Sequence, residues 1–463
     1  MRILLSMTVV ALLFGVSSPT WARSTRTELA ASPIDVRSAV SALPASRRAQ
    51  LDVAPPLTVR AALDEALARN PRLIVLRREY EALLLRPAQA LALAPPSFEA
   101  QIWQWPFNTL SPANTNMYMF TVGQALPGRG KRALRAAVAE KNTELARAVI
   151  AVEAHDVVNE VKRVYADLFL ARREREIHDA NIDLLRQFAD MSEAKYVTGR
   201  MSQQDLLKAV VEVSRLHEDL VTLDERERLA AARLNTLLDR PPESAVGRLV
   251  EPREGVPQPA LAALQRSAVE RQPELLALRV DIERAEATLA SQRREYEPDY
   301  FVKGGYFLMP GQSDSWTAMV GVTWPKAPWA RSGIDARVAE AAAAVETARA
   351  RNGAAASAVR LAVHEAYVRI EAAQERAALL RTSIVPQSDQ TLAVSRVAYQ
   401  ADQGDFLTLI DNQRVLLDAQ RAYYRALSDL EQARADLERA VGTDRRFDVT
   451  AGRVAPPVEA TSR

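Results

Sequence analysis

The stretch SWTAMVGVTW, from Ser315 to Trp324, differs in pattern from the sequence around it. Side chains of an extended strand alternate between its two faces. On a strand, one face of this stretch is apolar and has a tryptophan near each end: Trp316, Ala318, Val320, Val322 and Trp324. The flanking sequence is charged, rich in alanine and typical of long helices. The stretch therefore predicts a strand with one apolar face in a protein that is otherwise helical.

Three other runs have the same character, at about 97–107, 116–126 and 299–309. Runs of about 10 residues with alternating polarity have the length of a tilted transmembrane β-strand. The aromatic residues in and near these runs suit the interfacial belts of a membrane protein. The alternation alone fits a small soluble sheet packed on the helices equally well, because each strand of a membrane β-barrel gives only a weak signal.

The number of strands is compatible with a membrane β-barrel only if several chains assemble. Four strands cannot close a barrel, since the smallest membrane barrels have about eight. An open sheet edge in lipid leaves backbone amides unpaired, at several kcal/mol each. In a membrane, several chains would therefore each contribute four strands to one closed barrel, and their long helices would project together as a helical barrel.

The chain repeats its own plan at a spacing of about 200 residues. Three pairs of segments occur in the same order in both halves: LDEALARNPRL and LQRSAVERQPEL (63–73 and 264–275), QALPGRGKRALRAAVAE and VTWPKAPWARSGIDARVAEA (124–140 and 322–341), and YVTGRMSQQDLLKAVVEV and YQADQGDFLTLIDNQRVLL (196–213 and 399–417). Their order predicts two structural repeats, at 57–256 and 257–447.

In each repeat the two strands are followed by one very long predicted helix, at about 132–197 and 333–397. At 1.5 Å per residue, a helix of about 65 residues is roughly 100 Å long. Turns are predicted at 199–202 and 402–406, each followed by a final helix. Apolar residues recur at helical spacing between charges, which favours coiled-coil packing. Pro386 predicts a kink or break in the second long helix.

The N-terminus has the layout of a cleaved secretory signal peptide at 1–22. Its apolar run of about 14 residues is shorter than the roughly 20 that the alternative, an N-terminal membrane anchor, requires. The sequence has no cysteine, so we expect no lipid anchor on a cysteine at the new N-terminus. Flexible segments are predicted at 23–56 and 448–463.

The composition argues against several classes of function. The formal net charge is +2, with acidic and basic residues interleaved, so nucleic acid is not an expected partner. The absence of cysteine excludes disulfides, thiolate metal sites and cysteine nucleophiles. The 4 histidines show no pair at helical metal-ligand spacing, and no nucleotide loop or catalytic triad stands out. We therefore expect no enzyme and predict no catalytic, cofactor-binding or metal-binding residues.

From about 57 to 442 the sequence resembles the TolC-like outer-membrane factors of Gram-negative efflux and secretion systems. The resemblance rests on the duplicated plan and on three motif pairs: ARNPRL with ERQPEL, LPGRGKR after the second strand, and YVTGRMSQQD with YQADQGDF. It implies a mostly α-helical fold with a small β part, assembled as a homotrimer. A twelve-stranded barrel of that trimer lies in outer-membrane lipid above an α-helical barrel that crosses the periplasm.

The resemblance also implies partners and site residues. A periplasmic adaptor (membrane fusion) protein and an inner-membrane pump of the resistance-nodulation-division (RND) type are the expected partners. The tips expected to meet the adaptor are Gly199, Arg200, Met201, Ser202, Gly404, Asp405 and Phe406. The residues expected to form the periplasmic gate are Asp205, Tyr399 and Asp411. The alternatives are ordinary turn chemistry at the tips and solvated surface positions for the two aspartates.

Two details of these motifs carry separate expectations. A glycine at each tip permits positive φ where one helix ends and the next begins. Phe406 stands where the family often has a basic residue, and Arg200 is the candidate to replace that cation. GRGKR at 128–132 is interpreted as a helix-start turn with cations near the membrane surface, because the spacing and the Ser or Thr of a phosphate-binding loop are absent.

The cargo is the least defined part of the sequence analysis. GRGKR and the missing anchor cysteine lean toward the heavy-metal branch of these exporters. A duct for drug efflux or for type I secretion, and a soluble periplasmic coiled-coil adaptor, are the alternatives. Met117, Met119, Met309 and Met319 lie in the strand regions and offer soft ligands for copper or silver, but methionines more often fill space on such a wall.

Overall fold

The computed structural model describes residues 56–103, 107, 111, 115–197, 202–251 and 259–442. The predicted signal peptide at 1–22, all but the last residue of the predicted segment at 23–56, and the predicted tail at 448–463 lie outside the described residues. Gly199, Arg200 and Met201 of the first predicted tip lie outside them as well.

The two halves of the chain share one plan: short helices, a strand hairpin, a long helical stretch and a final helix. The first half has one more short helix before its hairpin, and the long helix of the second half is interrupted. The first half has α1 (Val59–Arg69), α2 (Pro71–Leu83), α3 (Arg86–Leu91), β1 (Ser97–Trp103), β2 (Met117–Leu126), α4 (Lys131–Val197) and α5 (Gln203–Leu237). The second half has α6 (Leu261–Arg271), α7 (Pro273–Arg294), β3 (Tyr300–Leu308), β4 (Ser315–Val322), α8 (Pro328–Leu379), α9 (Val385–Gln400) and α10 (Phe406–Val441).

Each repeat opens with two helices that meet at a proline. Pro71 and Pro273 begin α2 and α7, where a helix has no use for the missing N–H. The side chain of Asn70 accepts a hydrogen bond from the N–H of Arg72 at 3.0 Å. Gln272 accepts one in the same way from the N–H of Leu275 at 2.9 Å. The paired NP and QP motifs are therefore equivalent helix starts, each capped by an amide oxygen.

The long helices lie side by side and bury apolar residues along their length. α4 has 67 residues, which corresponds to roughly 100 Å. It packs against α1, α2, α3, α5, α7 and α10, while α8 packs against α6, α7 and α10. Val157, Val161 and Leu168 on α4 are fully buried at helical spacing. Among the described residues, no helix is both long enough and apolar enough to cross a membrane.

The second long helix is interrupted at the predicted position. A π-helical turn, Leu380–Ile384, separates α8 from α9, and Pro386 follows at the start of α9. A proline ring clashes with the carbonyl four residues earlier, here that of Thr382. The wider π-helical turn gives this carbonyl room, so the helix is locally widened at Pro386.

The four strands form one antiparallel sheet in the order β1-β2-β3-β4. Each repeat contributes one hairpin, and the two hairpins join where β2 pairs with β3, from Tyr118↔Leu308 to Leu126↔Tyr300. β4 ends at Val322, two residues before the end predicted from the sequence. β1 is described as Ser97–Trp103, and residues 104–106 of the predicted run lie outside the described residues. The sheet is therefore built equally from both repeats.

Candidate functional site

The strand register places the apolar side chains of β4 in one face that extends over the whole sheet. Val320 lies opposite Val302, and Trp316 lies opposite Tyr306, with their ring centroids 5.1 Å apart. The residues of this face are Phe98, Ala100, Ile102, Tyr118, Phe120, Val122, Gln124, Leu126, Tyr300, Val302, Gly304, Tyr306, Leu308, Trp316, Ala318, Val320 and Val322. Its polar side-chain groups are the Gln124 amide, the tyrosine hydroxyls and the indole N–H of Trp316.

This apolar face is exposed in the single chain. Trp316 is 82% exposed and Val320 is 76% exposed. Trp324, expected at the end of the strand, lies two residues beyond β4 and is 68% exposed. A contiguous apolar surface of this kind marks a contact with lipid or with another protein. The opposite face is the more polar of the two. It carries Ser97, Glu99, Gln101, Thr121, Lys303, Ser315 and Thr317, together with the apolar residues Trp103, Met117, Met119, Phe301, Phe307 and Met319.

The GRGKR turn does not present all its cations to the surface, which corrects the expectation from the sequence. Lys131 is 2% exposed, and its Nζ lies 3.1 Å from Glu295 and 3.0 Å from Asp299. The Asp299 carboxylate also accepts a hydrogen bond from the N–H of Gly128 at 2.7 Å. Because the two carboxylates belong to the second repeat, this buried ion pair links the strand-to-helix junctions of both repeats.

The second tip connects α9 to α10 through residues 401–405. The residue with positive φ is Asp402, at 57°, rather than Gly404, which corrects the role expected for that glycine. Gly404 is needed for a close approach instead. A Cβ at position 404 would lie 3.0 Å from the backbone nitrogen of Tyr399 and 3.2 Å from the carbonyl carbon of Ala398.

Tyr399 is the centre of a buried cluster beneath this tip. It is 4% exposed, and its hydroxyl lies 3.1 Å from the hydroxyl of Ser192 on α4. The Lys195 ammonium lies 4.1 Å from the centroid of the Tyr399 ring, donates a hydrogen bond to the Tyr399 carbonyl, and pairs with Asp402 at 2.5 Å. Lys195 thus supplies a cation beside Tyr399. The sequence analysis expected a cation near this position, with Arg200 as the candidate because Phe406 cannot supply one. The position of Lys195 in the sequence did not indicate this role.

Phe406 packs into the same cluster and does not lie on the surface. It is 2% exposed, and its ring centroid lies 5.7 Å from that of Tyr399. Its side chain is therefore unavailable for the contact expected at the tip, whereas Gly404 and Asp405 are exposed. At the first tip, the N–H of Asp205 and the Ser202 hydroxyl lie 3.3 Å apart, and that hydroxyl donates back to the Asp205 carboxylate at 2.8 Å. Asp205 thus caps the start of α5 together with Ser202.

Asp411 lies on an exposed part of α10, with its side chain 69% exposed and 3.4 Å from the Arg414 guanidinium. It borders a groove of about 640 Å³ between α5 and α10, with apolar walls that include Leu207, Val211 and Ile410. Arg414 also donates to both carboxylate oxygens of the buried Glu212 on α5. These hydrogen bonds hold the pKa of Glu212 below its usual value. The three predicted gate residues therefore have separate sets of partners within one chain.

Comparisons with known proteins give distant relatives and a clear fold. No family model matches the chain. The cobalt-zinc-cadmium resistance protein CzcC of Cupriavidus metallidurans is 22% identical over 396 residues, which covers 84% of this chain and 91% of that protein. Nodulation protein T of Rhizobium leguminosarum bv. trifolii is 21% identical over 335 residues, covering 66% of this chain and 68% of that protein.

Solved structures match most of the chain. The outer-membrane channel OprN has a TM-score of 0.70 at 19% identity, covering 83% of this chain and 89% of its own. CusC, which forms a transmembrane channel, has a TM-score of 0.69 at 15% identity, covering 83% of this chain and 92% of its own. The outer membrane protein VceC of Vibrio cholerae has a TM-score of 0.68 at 17% identity, covering 83% and 96%. The chain therefore has the fold of the TolC-like outer-membrane factors, as its sequence predicts.

Proposed function

We propose that this protein is the outer-membrane exit duct of a tripartite efflux system. The observation that carries the proposal is the sheet, which has one continuous exposed apolar face and a polar face behind it. β1 and β4 are its outer strands, and among the described residues no other strand pairs with them. In lipid, the unpaired amides of these edges cost several kcal/mol each. Copies joined edge to edge, with β4 of one beside β1 of the next, satisfy both edges.

Three copies with four strands each give a barrel of twelve strands. In that homotrimer the face with Trp316, Val320 and Val322 contacts outer-membrane lipid, and the polar face lines a water-filled lumen. The long helices extend the lumen by roughly 100 Å into the periplasm. A cleaved signal peptide at 1–22 accounts for export across the inner membrane.

The helix tips are the proposed periplasmic gate. Asp411 is exposed, and three symmetry-related copies of it form a carboxylate ring that favours cations. Tyr399 and its cluster set the conformation of the tip, while Asp205 fixes the start of α5. Gly404 and Asp405, together with the first tip at 199–202, are the proposed contacts of a periplasmic adaptor. An inner-membrane RND pump drives the export.

Heavy-metal cations are the proposed cargo, and the support comes from the name of a relative. CzcC, 22% identical over most of its length, is a cobalt-zinc-cadmium resistance protein. The described residues contain no group of three or more His, Asp or Glu side chains that could hold a metal ion. A duct needs no tight site for its cargo, so a wide passage with a weakly cation-selective gate is sufficient for this function.

The rival functions differ from the proposal in a single feature each. A duct for drug efflux or type I secretion has the same architecture and differs only in cargo. A soluble periplasmic adaptor leaves the exposed apolar face of the sheet without a surface to cover it.

The test begins with cell fractionation of the full-length protein. We expect a trimer in the outer-membrane fraction that migrates as a monomer on gels after heating, and discrete conductance steps in planar bilayers. A soluble periplasmic monomer would overturn the duct. Deleting the gene then identifies the cargo: sensitivity to cobalt, zinc or cadmium supports metal export, whereas sensitivity to drugs alone supports the drug-efflux alternative.

A further inference from the structure

The four strands carry only two charged side chains, Glu99 on β1 and Lys303 on β3. Both lie on the polar face of the sheet. The Lys303 ammonium donates to both carboxylate oxygens of Glu99, at 2.8 Å and 3.1 Å. Since β2 lies between β1 and β3, this ion pair spans a whole strand.

The pair crosses β2 at Gly123. Lys303 lies directly opposite Gly123 on one side, and Ser97 lies opposite it on the other. A Cβ at position 123 would lie 3.0 Å from Cγ of Lys303 and 2.9 Å from Oγ of Ser97. The absence of a side chain at Gly123 therefore lets the stem of the lysine lie flat across the strand and reach Glu99.

The position of the pair indicates an electrostatic role. The side chain of Lys303 is 35% exposed and that of Glu99 is 42% exposed. Water screens an ion pair at this exposure, so it contributes little to the stability of the sheet. The ion pair does set the net charge of the polar face, because no other charged side chain is present on the four strands.

We infer that Lys303 is a specificity-determining residue of the duct, which cancels the charge of Glu99 and keeps the wall of the barrel without net charge. The inference rests on the proposed function, in which the polar face lines the lumen of a trimer. Without Lys303, three Glu99 carboxylates would form a second ring that attracts and retains cations. With the pair intact, a metal cation that has passed the gate meets no unpaired carboxylate on the four strands of the wall.

The experiment measures ion preference of the full-length trimer in planar bilayers under a KCl gradient. Lys303→Gln is expected to raise the K⁺ over Cl⁻ permeability ratio, and Glu99→Gln to lower it, each about two-fold in 0.1 M salt. Both shifts should shrink in 1 M salt, where the screening length falls from about 10 Å to about 3 Å. A purely structural role for the pair predicts no shifts of opposite sign.

The controls separate this inference from the duct itself. The double variant Glu99→Gln/Lys303→Gln and the charge swap Glu99→Lys/Lys303→Glu should both keep the wild-type ratio. Arg266→Gln, which removes an exposed cation from α6, should keep it too. A wild-type protein without conductance steps would overturn the proposed function. If the wild type conducts but both single variants keep its K⁺ over Cl⁻ permeability ratio, or shift that ratio in the same direction, the inference fails while the proposed function stands. A charge swap that changes the ratio would overturn the inference in the same way.

Discussion

At the scale of single residues, burial separates the two kinds of group at the tip. Tyr399 is 4% exposed, and its hydroxyl, ring and carbonyl all contact neighbouring side chains, so it organises the turn and is shielded from solvent. Asp411 has a largely exposed carboxylate, and the Arg414 guanidinium beside it also binds Glu212. An exposed carboxylate in this position can attract cations from the surrounding solvent.

Neutralising Asp411 tests its place in the gate. Asp411→Asn should lower the preference of the channel for cations in planar-bilayer recordings, because three carboxylates leave the constriction together. Asp183→Asn on α4 is the matched control, since that carboxylate is also 69% exposed and lies 3.0 Å from an arginine, Arg186. Unchanged selectivity and conductance in Asp411→Asn would remove Asp411 from the gate.

Lys195 is expected to hold the second tip closed. Lys195→Met keeps the length of the stem but removes the ammonium that contacts the Tyr399 carbonyl and Asp402. The turn at 401–405 should loosen, with faster proteolysis there and a larger open fraction in bilayers. Lys208→Met, which removes a cation near the other tip, should leave both unchanged. Wild-type proteolysis and gating in Lys195→Met would show that the tip is held by its packing alone.

At the scale of elements, the tips are formed by turns whose geometry is decided by helix packing. Gly404 lies against the backbone of Tyr399, and the positive φ falls on Asp402, which pairs with Lys195 from α4. Local turn chemistry predicts a break near these residues, since glycine and aspartate both tolerate unusual φ. The choice between them depends on a lysine about 200 residues earlier in the chain.

The contact between α5 and α10 should depend on pH through Glu212. Because Arg414 lowers the pKa of folded Glu212 below its ordinary value of 4.5, the pair stabilises the fold above about pH 4.5, and this stabilisation is lost as the pH falls through the lowered pKa. Glu212→Gln should therefore destabilise the protein by about 1 kcal/mol at pH 7. The difference from wild type should shrink in acid.

Thermal unfolding of the wild type and of Glu212→Gln across this pH range checks the prediction. Glu218→Gln is the control, because Glu218 is an exposed carboxylate on the same helix. A melting difference between wild type and Glu212→Gln that stays constant down to about pH 3 would show that the pair does not titrate as described.

At the scale of the whole molecule, the two faces of the sheet support the proposed membrane assembly. Val320→Lys places a charge on the face proposed to contact lipid, where lysine near the bilayer midplane costs about 2–4 kcal/mol. Three copies per trimer multiply the effect, so the yield of trimer in outer-membrane fractions should fall sharply. Thr317→Lys, on the opposite face of β4, should assemble normally. Equal yields for the two variants would contradict the assignment of the faces.

The architecture itself could be predicted because its signals are local and repeated. The spacing of apolar residues defines the long helices, the alternation in SWTAMVGVTW defines a strand with one apolar face, and the recurrence of NP and QP defines equivalent helix starts. Each of these depends on neighbours a few residues away, which a single sequence displays directly. The fold and the internal repeat followed from them.

The environment of single side chains was decided only by tertiary structure. Lys131 was expected near the surface and is buried, because its two carboxylate partners come from the other repeat. Phe406 was expected at a contact and instead packs on Tyr399. The cation beside the Tyr399 ring is Lys195, which comes from another helix. The sequence by itself thus determined the order of the elements, the approximate extent of the helices and the faces of the strands. Only the packing of distant segments decided which charges are buried, paired or exposed, because burial and pairing depend on partners that local sequence does not specify.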